Sequence, residues 1–263
     1  MPSSNLQKLK ARVLEEGLLV LKCSGKLVEG PAVRSAALLK KSGKLKNLVI
    51  VPGAQAQITA TMEKRGLRPR FDGEGCRITD EPAMRIATSE IGKVVFGIVK
   101  SLHDCGVDAS FKHFGMFYGK PAGSGNRTGV ITGMSCGEVA LELLCGRAMV
   151  LAPLGEDSEG GPLSLNADPA AASAAVALGA THLVIAMEKD GIEVGGSQLK
   201  SVTIPALAGL IGDGTFSGGM VVKAKACIYA AKAGIPVSLV DGNDPDALER
   251  VLGGKGCGTA VVR

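Results

Sequence analysis

Leu18-Leu19-Val20-Leu21-Lys22-Cys23-Ser24-Gly25-Lys26 is an apolar run that ends on a lysine and breaks at once into small residues. It reads as an inner strand, and a lysine at its end beside a flexible turn is placed to meet an anion. The pattern returns at Asn47-Leu48-Val49-Ile50-Val51, a continuous apolar strand that ends at Pro52-Gly53-Ala54-Gln55 and opens a helix through Arg65. Between the two strands, Gly30 to Lys41 reads as a helix. Strand, turn, helix and strand in series are the signature of parallel βαβ units. A second lysine of note lies in Ser217-Gly218-Gly219-Met220-Val221-Val222-Lys223-Ala224-Lys225, on a helix that follows a glycine pair. Two lysines facing one site can hold both ends of a migrating phosphoryl group. Charge neutralisation of that kind is most of what a protein contributes to phosphoryl transfer.

Composition agrees with a buried parallel sheet. The 263 residues are 46% hydrophobic, with no Trp, two Tyr and six Phe, so the core must come from Val, Leu, Ile and Ala. The 37 glycines suit close main-chain approach to phosphates. The net charge of +5 is modest, and the basic residues are scattered outside Lys40-Lys41, Lys44 to Lys46 and the cluster Lys64-Arg65, Arg68 and Arg70. No basic run is interleaved with aromatics, which argues against a nucleic-acid partner. The seven cysteines show no CxxC pair and no metal-ligand spacing, and no signal peptide is seen. Reduced thiols and a cytoplasmic location follow as expectations. No apolar run reaches membrane-spanning length, so no membrane partner is expected.

Other segments complete an α/β pattern. Asn5 to Glu16 reads as a short helix. Thr79 or Asp80 can cap a helix whose stripe is Met84, Ala87, Ile91, Val94, Ile98 and Leu102. That stripe either packs on the sheet or makes a helix–helix contact in a dimer. Short strands or a hairpin are expected over 107–132, a helix over Gly137 to Cys145, a buried strand over Ala148 to Pro153, and an acidic surface loop over Gly155 to Gly161. Asp168 reads as the cap of an alanine-rich helix that Gly179 ends. Strands at His182 to Ala186, Val237 to Asp241 and Thr259 to Val262 follow. Between them lie a glycine-rich stretch from Gly209 to Gly219, a helix through Lys232 and a helix from Pro245 to Leu252.

Six segments, in order, resemble the amino acid kinase family, and most closely its N-acetylglutamate kinase branch. Leu21-Lys22-Cys23-Ser24-Gly25 is similar to the family's strand-end lysine and glycine pair. Ile50-Val51-Pro52-Gly53-Ala54-Gln55 stands in the place of its His-Gly-Gly-Gly turn. Gly75-Cys76-Arg77-Ile78-Thr79-Asp80 resembles its Gly-x-Arg-x-Thr-Asp segment, Leu165-Asn166-Ala167-Asp168 its Asn-Ala-Asp motif, and Gly218-Gly219-Met220-Val221-Val222-Lys223 its nucleotide-side lysine helix. The ending Gly256-Cys257-Gly258-Thr259-Ala260-Val261 also fits.

The resemblance implies an open αβα sandwich with a mainly parallel central sheet. A lobe over 1–179 would bind the acceptor and dimerise, and a lobe over 180–263 would bind the nucleotide. The implied activity is ATP-dependent phosphorylation of N-acetylglutamate or a related N-blocked acid, with Mg2+ carried by the nucleotide. The implied catalytic residues are Lys22 on the acceptor side, Lys223 on the leaving side and Asp168 holding both. Arg77, Gly53, Ala54, Gln55, Ser164 and Asn166 would contact the acceptor. Ser24, Gly25, Glu188, Gly191, Gly218, Gly219 and Met220 would contact the phosphates or nucleotide. Read singly, each has a plainer account, such as a helix cap for Asp168 or a surface position for Arg77.

The chain departs from the pattern at Ser24, Ala54, Gln55 and Ser164, and at Met187-Glu188-Lys189-Asp190-Gly191 in the nucleotide lobe. Ala54 is tolerable in the turn only at negative φ. Gln55 puts a bulky amide where the acceptor should lie. Two alternatives therefore stand beside the first reading. One is a kinase for a different acid, such as a carrier-linked aminoadipate. The other is a weakly active or non-catalytic ligand-binding relative. The expected assembly is a homo-oligomer, a dimer through the Met84 to Leu102 helix with a hexamer as the larger alternative. The segment before Lys22 resembles one carried by hexameric, arginine-inhibited members.

Overall fold

The computed structural model describes residue 13 and residues 15–263. The helix read near Asn5 to Glu16, and the arginine-linked segment with it, lies mostly outside the described residues. The chain runs through β1 (Leu18–Cys23), α1 (Pro31–Lys41), β2 (Asn47–Pro52), α2 (Gln55–Lys64), β3 (Arg70–Phe71), β4 (Arg77–Ile78) and α3 (Glu81–Asp104). It continues through β5 (Ala109–Lys112), β6 (Phe117–Gly123), β7 (Asn126–Met134), α4 (Gly137–Leu144), β8 (Ala148–Leu151), β9 (Leu154–Glu156), β10 (Pro162–Leu165) and α5 (Ala167–Leu178). The last third holds β11 (His182–Met187), β12 (Ile192–Val194), β13 (Ser197–Leu199), β14 (Ser201–Thr203), α6 (Ile204–Gly212), α7 (Gly219–Lys232), β15 (Val237–Asp241), α8 (Ala247–Leu252) and β16 (Thr259–Val262).

Eight strands form one sheet in the order β14-β16-β15-β11-β1-β2-β8-β5. All neighbours are parallel except β15 and β16. This is the mainly parallel α/β sandwich that the sequence implies. β1 lies inside it, with Lys22 opposite Ile185 on one side and Val51 on the other. Its two faces follow the period of two in a strand. Leu18 and Val20 pack with Ala170, Ala171 and Ala174 of α5 and with Ala224 and Cys227 of α7. Leu19, Leu21 and Cys23 pack on the other face with Ala32 and Val33 of α1 and with Ile91 and Ile98 of α3. Lys22 shares the parity of Leu18 and Val20, so its side chain rises toward α5 and α7.

Beside the sheet, β6, β7, β9 and β10 close into a small barrel. Here two expectations are corrected. The stretch Gly155 to Gly161 is not one surface loop. Its start belongs to β9, and only the turn at 157–161 separates β9 from β10, because Asp157 Oδ1 accepts the Glu159 and Gly161 N–H groups at 3.0 and 2.7 Å. The glycine-rich stretch from Gly209 contains the end of α6, a helix capped by the Thr203 hydroxyl. The glycines that hide α6 in the sequence lie on exposed positions, where they clash with nothing.

α3 is capped by Asp80, whose Oδ1 accepts the Ala83 N–H at 3.0 Å. Its stripe from Met84 to Leu102 is buried throughout, so the plain packing account applies to those six residues and they form no free dimer face. The outward face of the same helix presents Phe96, 66% exposed.

Gly258 leads into β16 at φ 63°, and a Cβ there would meet the Leu239 carbonyl oxygen. Gly258→Ala is therefore expected to cost about 2 kcal/mol or more, since a left-handed conformation and a backbone clash add. Urea unfolding measures this, and a midpoint equal to wild type would contradict it.

Candidate functional site

The Asn166 side chain caps α5 by accepting the Asp168 N–H at 3.0 Å. Asp168 is thus not the cap that it reads as in the sequence. It sits one residue inside the helix, and its carboxylate is free to turn toward the sheet. Asp168 Oδ1 lies 3.0 Å from Lys22 Nζ, and both carboxylate oxygens lie 3.0 Å from Lys223 Nζ. Lys22 is 8% exposed and Asp168 6%. Burial alone would lift the Asp168 carboxyl and lower both ammonium groups. The two lysines overcome that for Asp168 and hold its carboxyl down at about 2. Lys22 is pulled down by burial but raised on balance by Asp168. Lys223 falls below its ordinary value through burial, with Lys22 repelling it and Asp168 restoring part of the loss. The floor of the site is therefore one carboxylate between two cations, net positive, at the end of β1.

This floor opens into a cleft of about 700 Å³. Ser24 and Gly25 line one edge, and Gly53, Ala54 and Gln55 line the next. Gly25 has no room for a side chain, because a Cβ would meet the Gln57 amide oxygen and the Gly53 carbonyl oxygen, the latter at 2.5 Å. Gln57 fixes this turn by donating from Nε2 to the Gly25 carbonyl at 2.8 Å. Gly53 is less crowded, with nothing nearer its Cβ position than 3.7 Å, and its N–H is taken by the Cys23 carbonyl. It cannot also serve a phosphoryl oxygen. The open donors are those of the first turn of α2. Ala54 has φ −136° and is buried, so its methyl is accommodated. Gln55 is exposed, and its backbone carbonyl, not its amide, makes the contact inward.

On the acceptor side, Arg77 is 9% exposed and has no acidic partner among the described residues. Its Nη2 donates to Thr59 Oγ1 at 2.7 Å and to the Gln55 carbonyl at 3.2 Å, its Nη1 faces the Met62 sulfur at 3.2 Å, and the Phe71 ring covers the guanidinium at 4.9 Å. Burial lowers its pKa. The Thr128 hydroxyl donates to the Arg77 carbonyl and stands 2.9 Å from the Thr79 hydroxyl, which ties β4 to β7. Ser164 and Asn166 line the same wall, and Asn166 beside the Cys76 thiol offsets part of the rise that burial gives it. Thr59, Cys76 and Thr128 escape a sequence reading. Thr59 lies one helical turn beyond Gln55, which is a usable signal, whereas nothing local marks Thr128.

On the other side, Gly219, Met220 and Glu188 line the cleft with Lys223. Gly191 and Gly218 do not. Gly191, at φ 81°, packs its backbone against Thr259, and Gly218, at φ 51°, precedes α7 as its cap residue. Their glycine character is thus explained by backbone geometry. The cleft-lining Lys26 and Glu188 pair at 3.1 Å, and outside the lining Lys225 pairs with Glu74 at 2.5 Å, both at exposed positions. Lys26 was within the opening stretch of sequence but carried no role there. The thiols of Cys23 and Cys227, beside the two lysines, are pushed by burial up to about 12 and stay protonated.

The chain's relatives share this arrangement's framework. A sequence profile of the amino acid kinase family matches residues 17–241. The acetylglutamate kinase of Sinorhizobium fredii is 28% identical over 99% of both chains. That of Azorhizobium caulinodans is 32% identical over 86% of this chain and 81% of its own. Among solved structures, N-acetylglutamate synthase from Neisseria gonorrhoeae superposes with a TM-score of 0.81 at 23% identity, covering 100% of this chain. This chain spans 66% of that synthase chain. Carbamate kinase from Giardia lamblia superposes with a TM-score of 0.69 at 15% identity, covering 94% of this chain and 98% of that one. These two likenesses are of fold. With the profile match spanning β1 to β15, the chain belongs to the amino acid kinase family.

Proposed function

We propose that this chain is an ATP-dependent carboxylate kinase that phosphorylates N-acetylglutamate or a related N-blocked acidic amino acid to an acyl phosphate. The observation that carries the reading is the buried Lys22–Asp168–Lys223 set at the floor of the cleft. The acetylglutamate kinase relatives support the acceptor class. The buried Arg77, which has no acidic partner among the described residues, supports an acceptor with a second carboxylate, for which guanidinium groups are suited.

The acceptor would lie against the lobe over 1–179 and the nucleotide against the lobe over 180–263. Lys22 meets the transferring phosphoryl group from the acceptor side, and Lys223 faces the leaving oxygen. Asp168 keeps both ammonium groups charged and aimed. The acceptor carboxylate attacks the γ-phosphorus as the bond to the β-phosphate oxygen breaks. No proton need move, so positioning and dispersal of charge are the protein's contribution. The first turn of α2 and the Gly219 N–H at the start of α7 supply backbone donors to phosphate oxygens, while the Met220 N–H is held by the Ser217 carbonyl. No group of three or more His, Cys, Asp or Glu suited to a metal occurs among the described residues, and Asp168 is engaged by lysines. That donor set fits Mg2+ arriving on the nucleotide phosphates, where it would neutralise their charge.

The non-catalytic alternative drew on the altered turn together with Ser24, Ser164 and the segment Met187 to Gly191; Ala54 at negative φ and the exposed Gln55 weigh against the part of it that rests on the turn. For the assembly, the reading includes a homodimer through the outward face of α3 around Phe96; sedimentation should give twice the chain mass, and a monomer mass would reject it. No helix among the described residues is long and apolar enough to cross a membrane.

The deciding assay is ATP turnover with Mg2+ and hydroxylamine, which traps acyl phosphates. The acids to offer are N-acetylglutamate, glutamate, aspartate and N-acetylated aminoadipate, with a blank lacking acceptor. Hydroxamate is expected with an N-blocked acid, and Lys22→Ala should lower it roughly 100- to 1,000-fold. No hydroxamate with any acid would reject the reading. Asp168→Asn should lose activity and about 3 kcal/mol or more of stability, because two buried ammonium groups then lack a counter-charge. The stability that Asp168 contributes is present above the unfolded carboxyl pKa of 3.8 and lost as pH falls through about 2. At alkaline pH, Lys223, with its lowered pKa, discharges before an ordinary lysine of 10.5. Activity should therefore fall along a limb with an apparent pKa below 10.5, and Lys223→Arg should move that limb upward in whatever activity remains. A limb unchanged in Lys223→Arg would assign it elsewhere.

A further inference from the structure

The Thr59 hydroxyl is half-engaged. Its oxygen accepts from Arg77 Nη2 at 2.7 Å, and among the described residues its own O–H has no acceptor. Thr59 lines the cleft, half-buried, on the same face of α2 as Gln55. The Arg77 N–H that it accepts is thereby held on one side of the guanidinium, while the Phe71 ring covers a guanidinium face and Met62 offers only a weak sulfur acceptor. A cationic guanidinium with no acid partner, and beside it a hydroxyl with a proton to give, form a mixed donor set. Such a set matches one carboxylate, which accepts through two oxygens and several lone pairs. The charge is supplied by Arg77 and the direction by Thr59.

We propose that Thr59 is an acceptor-binding, specificity-determining residue that donates its hydroxyl proton to the carboxylate neutralised by Arg77. This rests on the carboxylate-kinase reading for its substrate and on the Arg77–Thr59 geometry for its site. The carboxylate concerned is the one that is not phosphorylated, so the pair selects dicarboxylic acceptors over monocarboxylic ones. A valine at position 59 keeps the shape and removes the donor. It would also leave one Arg77 N–H without its partner, so the serine variant is needed to separate the hydroxyl from the packing.

The test compares wild type, Thr59→Val and Thr59→Ser. Acceptor KM, ATP KM and kcat are read from hydroxamate formation, and binding of N-acetylglutamate and of glutarate is read by thermal shift without ATP. Thr59→Val should raise acceptor KM roughly tenfold or more, as expected for a lost hydrogen bond to a charged group. ATP KM should stay unchanged, and Thr59→Ser should restore acceptor KM. Acceptor KM and thermal shift in Thr59→Val equal to wild type would overturn the proposal and leave the kinase reading intact. A rise in both KM values that serine does not reverse would also overturn it, as the mark of a structural role. A thermal shift in wild type that is lost in Thr59→Val and restored in Thr59→Ser, without turnover in any variant, would uphold Thr59 and remove the kinase reading. Neither shift nor turnover in wild type would remove both.

Discussion

One carboxylate shared by two ammonium groups organises this molecule. Asp168 joins β1, α5 and α7 at a point where each would otherwise bury an uncompensated charge. Removing Asp168 leaves two like charges without a counter-ion in a medium that solvates charge poorly. The rest of the arrangement follows from keeping those elements in reach. The alanines of α5 are small enough for α5 and α7 to pack together over the sheet, and the parity of β1 turns Lys22 toward them. A cation on each side of an anion, at the mouth of a sheet, is then a place where a more highly charged anion can be received.

The positions of Lys22 and Lys223 were legible because each depends on a local pattern. An apolar run that stops on a lysine, and a glycine pair before a helical lysine, survive translation into structure unchanged. Asp168 was harder. A residue before proline at the head of an alanine helix looks like a cap, and the cap signal is the same whether Asn166 or Asp168 supplies it. The structure separates them by where each side chain hydrogen-bonds, which no local pattern records. The buried stripe of α3 was legible as a stripe but not as to what covers it, since periodicity reports one apolar face and not its partner.

What stayed hidden is what depends on contacts far apart in the chain. Thr128 holds the Arg77 carbonyl across a separation of 51 residues, and Gln57 reaches back 32 residues to Gly25. Gly191 and Gly218 were expected as ligand contacts because the family resemblance implied it. Both are glycines for the sake of left-handed backbone, and Gly191 for close packing on Thr259 as well. The altered turn at Pro52-Gly53-Ala54-Gln55 looked like damage to a phosphate cradle. Its backbone nonetheless needs no glycine at Ala54, where φ stays negative, and the crowded glycine is Gly25.

The two surface bridges, Lys26 to Glu188 at the cleft and Lys225 to Glu74 outside its lining, stand in water at positions more than half exposed. Exposed pairs of this kind contribute little and fade as salt rises. These surface bridges are terms that dissolved ions weaken, while the floor of the cleft is held by a buried carboxylate and two lysines that they barely reach. Ionic strength therefore acts on the surface bridges and leaves the buried set as it is, so that the two answer to different properties of the surrounding solution.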